Sequence, residues 1–150
     1  MPGLDVRSVP VAQTRDLRQA VLRPHQTVVE MTAGEAVDAF AVGAFDGAEL
    51  IGVGLVAPDG QPGGWRVRGM ATAPHARGRG AGTAVLDELL RHATAHGAER
   101  IWCNARTLAR RLYERAGLRV VSDEFDLPQI GPHVVMELRP GEPTASGRSE

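Results

Sequence analysis

An α/β domain with a mixed, twisted sheet is the fold class this sequence predicts, on three observations. Segments with strand and helix periodicity alternate through the second half of the chain. In the first half an Asp46-Gly47 pair joins two strand-like runs, the mark of an antiparallel hairpin. The length of 150 residues, 43% of them apolar, suits one domain with a single sizeable core.

Taken in order, Leu4–Val9 reads as a short strand. Thr14 is placed to cap a helix running to about Leu22, which must stop before Pro24 because a proline disfavours helical dihedrals in the residue ahead of it. His25–Glu35 is weakly patterned. Val37–Phe45 and Glu49–Ala57 are the hairpin strands, Pro58–Gly64 a loop, and Trp65–Ala73 the next strand. The run from Pro74 to Gly82 then opens a helix in which Val85, Leu86, Leu89, Leu90 and Ala93 recur at helical spacing and Gly97 is the stop. Arg100–Asn104 is a strand. Thr107 is placed to cap a helix with an apolar face of Leu108, Leu112, Tyr113 and Ala116, ended by Gly117. Leu118–Val121 and His133–Leu138 are the last strands. Helices are expected on both faces of a sheet splayed near Met70. The domain spans residues 1–139, and the Pro/Gly/Ser-rich tail, 140–150, has no apolar anchor and is expected to attach loosely.

Composition removes several classes of function. A formal net charge of -1 leaves no electrostatic footprint for nucleic acid and no polybasic membrane patch. The one cysteine, Cys103, excludes an internal disulfide and a multi-cysteine zinc site. His92 and His96 share a helix face but have no third ligand nearby, so no metal is expected and a solvated face is the plainer reading. The N-terminus has no apolar leader and no stretch reaches membrane-spanning length, which makes a cytoplasmic protein the expectation. No serine sits in a Gly-x-Ser-x-Gly turn, against serine hydrolysis.

The chemistry-bearing segment is Arg77-Gly78-Arg79-Gly80-Ala81-Gly82, between a strand and a helix N-terminus. Glycines let backbone approach a ligand closely, and the first helical amides have no intrahelical acceptor, so this turn suits a phosphate. A Walker loop needs a lysine, and all 17 basic residues here are arginine. The dinucleotide pattern G-x-G-x-x-G also fails, ending at Thr83 when read from Gly78 and at Val85 when read from Gly80. R-x-x-G-x-G fits, as Arg77, Gly80 and Gly82.

That pattern resembles the pyrophosphate loop of the GNAT superfamily of N-acetyltransferases. The segment Leu112-Tyr113-Glu114-Arg115-Ala116-Gly117-Leu118 is similar to the tyrosine helix and Gly-apolar turn of the same superfamily. The ending Gly131-Pro132-His133-Val134-Val135-Met136 looks like a small uncharacterised bacterial branch of it. The resemblance is specific over about Trp65–Leu118. It implies a single GNAT-type domain and acetyl-CoA as co-substrate. Backbone groups of Met70, Ala71 and Thr72 would pair with the pantetheine amides. The amides of Arg77, Gly78, Arg79, Gly80, Ala81, Gly82 and Thr83 would hold the pyrophosphate, with charge added by Arg77 and Arg79. Asn104 would bind pantetheine or a backbone group, and Tyr113 would protonate the leaving thiolate. It implies acetyl transfer to a small-molecule or peptide amine by direct attack, and it leaves room for a homodimer.

One departure matters. Many members carry a glutamate base on the strand before the loop, whereas this strand reads Trp65-Arg66-Val67-Arg68. Glu124, His133 and Glu137 are the remaining candidates for the base, beside a water chain. Alternation puts Arg66 and Arg68 on one face, and if that face lines the acceptor cleft, the acceptor carries a carboxylate or phosphate. Plainer readings stand beside the sharp ones: Tyr113 as a core tyrosine, Cys103 as an inert buried thiol, Trp65 and Trp102 as core, and Arg110, Arg111 and Arg115 as a solvated face rather than a site for the 3′-phosphate. Two rivals to the enzyme remain, an acyl-CoA-binding module without turnover and a scaffold on the same fold. Release of free CoA thiol separates the first, and absence of CoA binding would mark the second.

Overall fold

The structure, a computed structural model, describes residues 3–33, 35–36 and 38–142. Its strands are β1 (Asp5–Val9), β2 (Phe40–Asp46), β3 (Glu49–Pro58), β4 (Gly64–Thr72), β5 (Arg100–Arg106), β6 (Arg119–Val120), β7 (Phe125–Leu127) and β8 (Gly131–Leu138). The helices are α1 (Arg15–Leu22), α2 (Val28–Thr32), α3 (Ala81–Ala95) and α4 (Arg110–Arg115). The strands form one mixed sheet in the order β1-β2-β3-β4-β5-β8-β6, with β7 also paired to β8. Among the described strands only β4 and β5 run parallel.

The sheet is a core element because β2 and β3 are apolar on both faces. Val85, Leu86 and Leu89 of α3 pack on one face with Ile51, Val67, Ile101 and Met136. The other face of β4 carries α1. Gly54 makes the α3 packing close: a Cβ there would stand 2.8 Å from Leu89 Cδ1 and 3.0 Å from Val85 Cγ1.

Pairing between β4 and β5 is confined to Gly64–Arg66 against Arg100–Trp102. Beyond Arg66 the two strands part, so the splay opens earlier than Met70 and leaves one edge of β4 without a strand partner from Val67 to Thr72. This opening positions the site.

Several local expectations are corrected. Thr14 does not cap α1: its hydroxyl donates to the Val11 carbonyl at 2.7 Å, closing a 3-10 turn instead. Thr107 likewise caps nothing, and its hydroxyl reaches Glu124 Oε1 at 3.3 Å. Leu108 is 99% exposed rather than part of the apolar face of α4, because the segment Thr107–Ala109 is a 3-10 turn with a different side-chain spacing. Helix α2 emerges from the weakly patterned stretch, held by a capping box between Thr27 and Glu30, a T-x-x-E signal legible in the sequence. The hairpin loop is Gly47-Ala48, one residue later than the Asp46-Gly47 reading. Strand β5 runs on past Asn104, and β7 was not foreseen. Val37 of the second expected strand, and residues 143–150 of the expected tail, lie outside the described residues; Pro140–Glu142 form a turn after β8. Among the described residues no helix is long and apolar enough to cross a membrane.

Candidate active site

The register of β4 against β3 slips at Gly69-Met70, which together face the single residue Gly54. This bulge depends on Gly69, whose φ of +66 is left-handed and whose missing side chain makes room for Arg18: a Cβ would lie 2.7 Å from Arg18 Cδ. A bulge turns backbone groups out of the ladder, here along the unpaired edge of β4.

After β4 the chain makes a short 3-10 turn, Pro74–Ala76, and enters α3 through Gly78 and Gly80, at φ +83 and +82. Gly80 is the N-cap and offers no side chain to the helix amides, and the first turn holds no acidic residue. The Ala84 N–H closes the first α-helical turn on the Gly80 carbonyl, at 3.0 Å. Amides just ahead of it therefore point out of the helix end with the dipole behind them, ready for an anion.

A groove of ≈ 610 Å³ runs from this helix end along β4. Its walls include Met70–Thr72, Arg77, Gly78, Gly80–Thr83, Leu112 and Tyr113, with Arg106 and Arg115 but no carboxylate. A smaller chamber of ≈ 180 Å³ fills the splay between β4 and β5, lined by Arg66, Arg68, Cys103, Asn104 and His133 among others. The two spaces share Met70, Arg106 and Tyr113, so they meet at the tyrosine.

An uncapped helix amide nest and a free strand edge lie on one side of a buried tyrosine, and a polar chamber lies on the other. The chain matches the acetyltransferase (GNAT) family over residues 11–118. It belongs to that family.

The relatives agree with the assignment. An uncharacterized N-acetyltransferase of Bacillus subtilis, YitI, is 32% identical over 140 residues, covering 89% of this chain and 94% of that protein. A Bacillus subtilis acetyltransferase solved in complex with CoA superposes with a TM-score of 0.68 at 17% identity, covering 91% of this chain and 98% of that one. Escherichia coli ElaA gives a TM-score of 0.74 at 16% identity, covering 89% and 98%. These two likenesses concern the fold.

Most of the sequence-chosen residues come together. Met70, Ala71, Thr72, Arg77, Gly78, Gly80, Ala81, Gly82, Thr83 and Tyr113 line one groove. The side chain of Arg79 turns away and forms an ion pair with Asp46 of the β2–β3 hairpin at 2.7 Å, so its charge is not free for the groove. Asn104 lines the chamber, not the groove. Of the helix arginines, Arg115 lines the groove while Arg110 pairs with Glu114 at 2.9 Å. Arg106 was missed, although alternation along Trp102, Asn104 and Arg106 puts it on the cleft face; its Nη2 donates to the Leu22 carbonyl at 3.2 Å and ties β5 to the end of α1.

Tyr113 is buried, and burial pushes its phenol pKa up, so it is a neutral O–H donor at any working pH. No group among the described residues accepts from it. Cys103 is also buried, its thiol pushed up to about 12 by the same cause, which is the opposite of an activated nucleophile. The three base candidates separate cleanly. Glu137 is held by Arg100 at 2.7 Å and Arg139 at 3.1 Å, with Arg119 at 3.5 Å, and lines neither groove nor chamber. Glu124 is exposed and also lines neither. His133 is buried and lines the chamber; its Nδ1 stands 2.7 Å from the Gly131 carbonyl. If Nδ1 carries the proton donated there, Nε2 is the basic nitrogen.

Trp65 packs edge-on against His92, itself stacked on Phe40 at 3.6 Å. Trp102 donates from Nε1 to Asp59 Oδ2 at 2.8 Å. Among the described residues no group of three His, Cys, Asp or Glu side chains stands close enough to hold a metal.

Proposed function

We propose that this chain transfers an acetyl group from acetyl-CoA to an amine by direct attack in a ternary complex. The observation that carries the reading is the junction at Tyr113, where the groove and the chamber share one neutral hydroxyl. The pyrophosphate sits on the amides from Gly78 to Thr83, the Arg77 N–H being donated instead to the Pro74 carbonyl at 3.5 Å, and the pantetheine arm adds along the open edge of β4 from Met70 to Thr72. This pairing sets the thioester carbonyl against the chamber, and fixed geometry of that kind is worth several kcal/mol. The amine nitrogen attacks the carbonyl carbon, and the oxygen gains negative charge beside the bulged backbone at Met70. Collapse breaks the C–S bond; Tyr113 gives its proton to the departing thiolate, His133 Nε2 takes the proton given up by the new amide nitrogen, and that proton passes back to the phenolate, so both side chains end as they began. Such an alkylamine has a pKa of about 10, so a base near the nitrogen is required at neutral pH. Cys103 takes no part, because its thiol stays protonated.

The test is release of CoA thiol from acetyl-CoA across a panel of amines, run with a thermal-shift titration. Acetyl-CoA is expected to raise the melting temperature, because it binds the folded state only, and at least one amine is expected to release thiol. Binding without release from any amine would leave an acyl-CoA-binding module, and no binding at millimolar acetyl-CoA would leave a scaffold.

A further inference from the structure

The chamber carries charge that acetyl transfer itself does not need. Arg23, Arg66, Arg68 and Arg106 line it, with no carboxylate among the lining residues. A recess of ≈ 270 Å³ adjoins it, sharing Arg23, Arg66 and Arg68 and adding Arg18, Glu30 and Glu35. Neither glutamate forms an ion pair with the shared arginines. Glu35 is taken by Arg15, at 2.7 Å, and by Arg18, and Glu30 closes the capping box with Thr27.

The side chains of Arg66 and Arg68 form no ion pair and no hydrogen bond among the described residues. They point to the same side of β4, with buried Val67 between them facing the core. The Arg66 guanidinium lies over the Trp102 ring, 4.7 Å from its centroid, and its Nε is buried without a partner among the described residues. Burial first, and then the charge of Arg68, disfavour its cationic form. Two adjacent cations, one of them partly desolvated, are costly without a counter-charge. Among the described residues none stands beside them, so the counter-charge is supplied by what binds.

We propose that the acceptor is a small amine bearing a carboxylate, and that Arg66 and Arg68 bind that carboxylate. This rests on the acetyltransferase reading above. Guanidinium is a planar fork matched to a carboxylate. The chamber also holds His133 and Tyr113, so a carboxylate on β4 leaves the amine, a short carbon chain away, beside the base and the thioester. The same arginines repel polycations, which removes polyamines and aminoglycoside-like amines from the acceptor class.

The experiment is steady-state kinetics at saturating acetyl-CoA on matched sets: an amino carboxylate, its carboxamide, its decarboxylated amine and its phosphonate counterpart. The carboxylate is expected to exceed its carboxamide by roughly 30-fold in kcat/KM, through KM, the scale of a charge-assisted pair. In Arg68→Gln, an exposed position, that ratio is expected to fall to a few-fold, with CoA calorimetry showing the variant folded. Arg66→Gln serves as the second variant. A ratio unchanged in both overturns the proposal, as does a phosphonate that outruns the carboxylate. Turnover confined to neutral or polycationic amines overturns it and leaves the acetyltransferase reading standing. No thiol release from any amine, with acetyl-CoA bound, overturns both.

Discussion

The groove and the chamber meet at Tyr113 but are made of different material. The groove has a wall of backbone, the open edge of β4, two left-handed glycines and the first amides of α3, all within Met70–Thr83, faced by Leu112, Tyr113 and Arg115 of α4. The chamber is mostly side chains, gathered from the end of α1, from β4, β5, α4, β7 and β8. Recognition by backbone needs a particular local chain shape, and that shape demands glycine at fixed spacing. Recognition by side chains needs only that distant residues converge, and convergence leaves no spacing to read.

The largest expected effect tests the backbone half. Gly80→Val is expected to abolish CoA binding by calorimetry while the protein stays folded. A Cβ at Gly80 meets nothing within 4 Å, so packing is untouched, but φ of +82 is strained for valine and the branch occupies ligand space. The strain is of the order of 1–3 kcal/mol. Gly97 supplies the control, because it has φ +87, also meets nothing within 4 Å, and lies at the other end of α3. Gly97→Val is expected to lose similar stability and keep CoA affinity. If both variants bind CoA alike, the turn is structural.

That contrast also explains what was legible in the sequence. The loop from Arg77 to Gly82, the helix behind it and Tyr113 could be read because local geometry dictates them. Arg79 was over-read: its charge is spent on Asp46, thirty-odd positions earlier in the chain, and no local pattern reveals such a partner. Arg106 was under-read because β5 was ended at Asn104. Helix α2 was passed over although Thr27 and Glu30 carry its capping box, because five residues are too few for an apolar period to show. The base needed tertiary structure outright. Glu124, His133 and Glu137 are close in sequence, and only the fold shows that three arginines occupy Glu137 and that His133 alone reaches the chamber.

Two substitutions at the junction come next in size. Tyr113→Phe is expected to lower kcat by about 100-fold, the modest end of general-acid effects, since a CoA thiolate leaves tolerably without a proton. CoA affinity and melting temperature are expected to hold, because the hydroxyl has no partner among the described residues. A fall in melting temperature with kcat intact would make Tyr113 a core residue. His133→Asn keeps a donor toward the Gly131 carbonyl and deletes Nε2. It is expected to cut kcat/KM by about 100-fold at pH 7, with partial recovery at higher pH as more of the amine deprotonates unaided. A flat ratio between variant and parent across pH would remove His133 from the proton path.

The smallest effect concerns Cys103, which lines the chamber without serving it. Burial raises its thiol to about 12 in the folded chain, against about 8.5 when unfolded. A raised folded pKa means that the folded chain keeps the proton longer. Its contribution to stability is therefore complete below about pH 8.5 and is lost as pH climbs toward the folded value. At pH 10 the loss is about 2 kcal/mol, since one unit is worth 1.36 kcal/mol. Tyr113 adds to this only from about pH 10 upward, where an unfolded tyrosine begins to ionise. Urea unfolding at pH 7.5 and pH 10 is thus expected to show a smaller drop for Cys103→Ala than for the parent, even though the alanine variant starts less stable from lost packing. The same variant is expected to keep its turnover, because the acetyl group passes straight to the amine. An equal drop in both proteins would mean that the thiol ionises normally in the folded state. Lost turnover in a folded Cys103→Ala would turn the chamber from an acceptor site into the seat of a covalent intermediate.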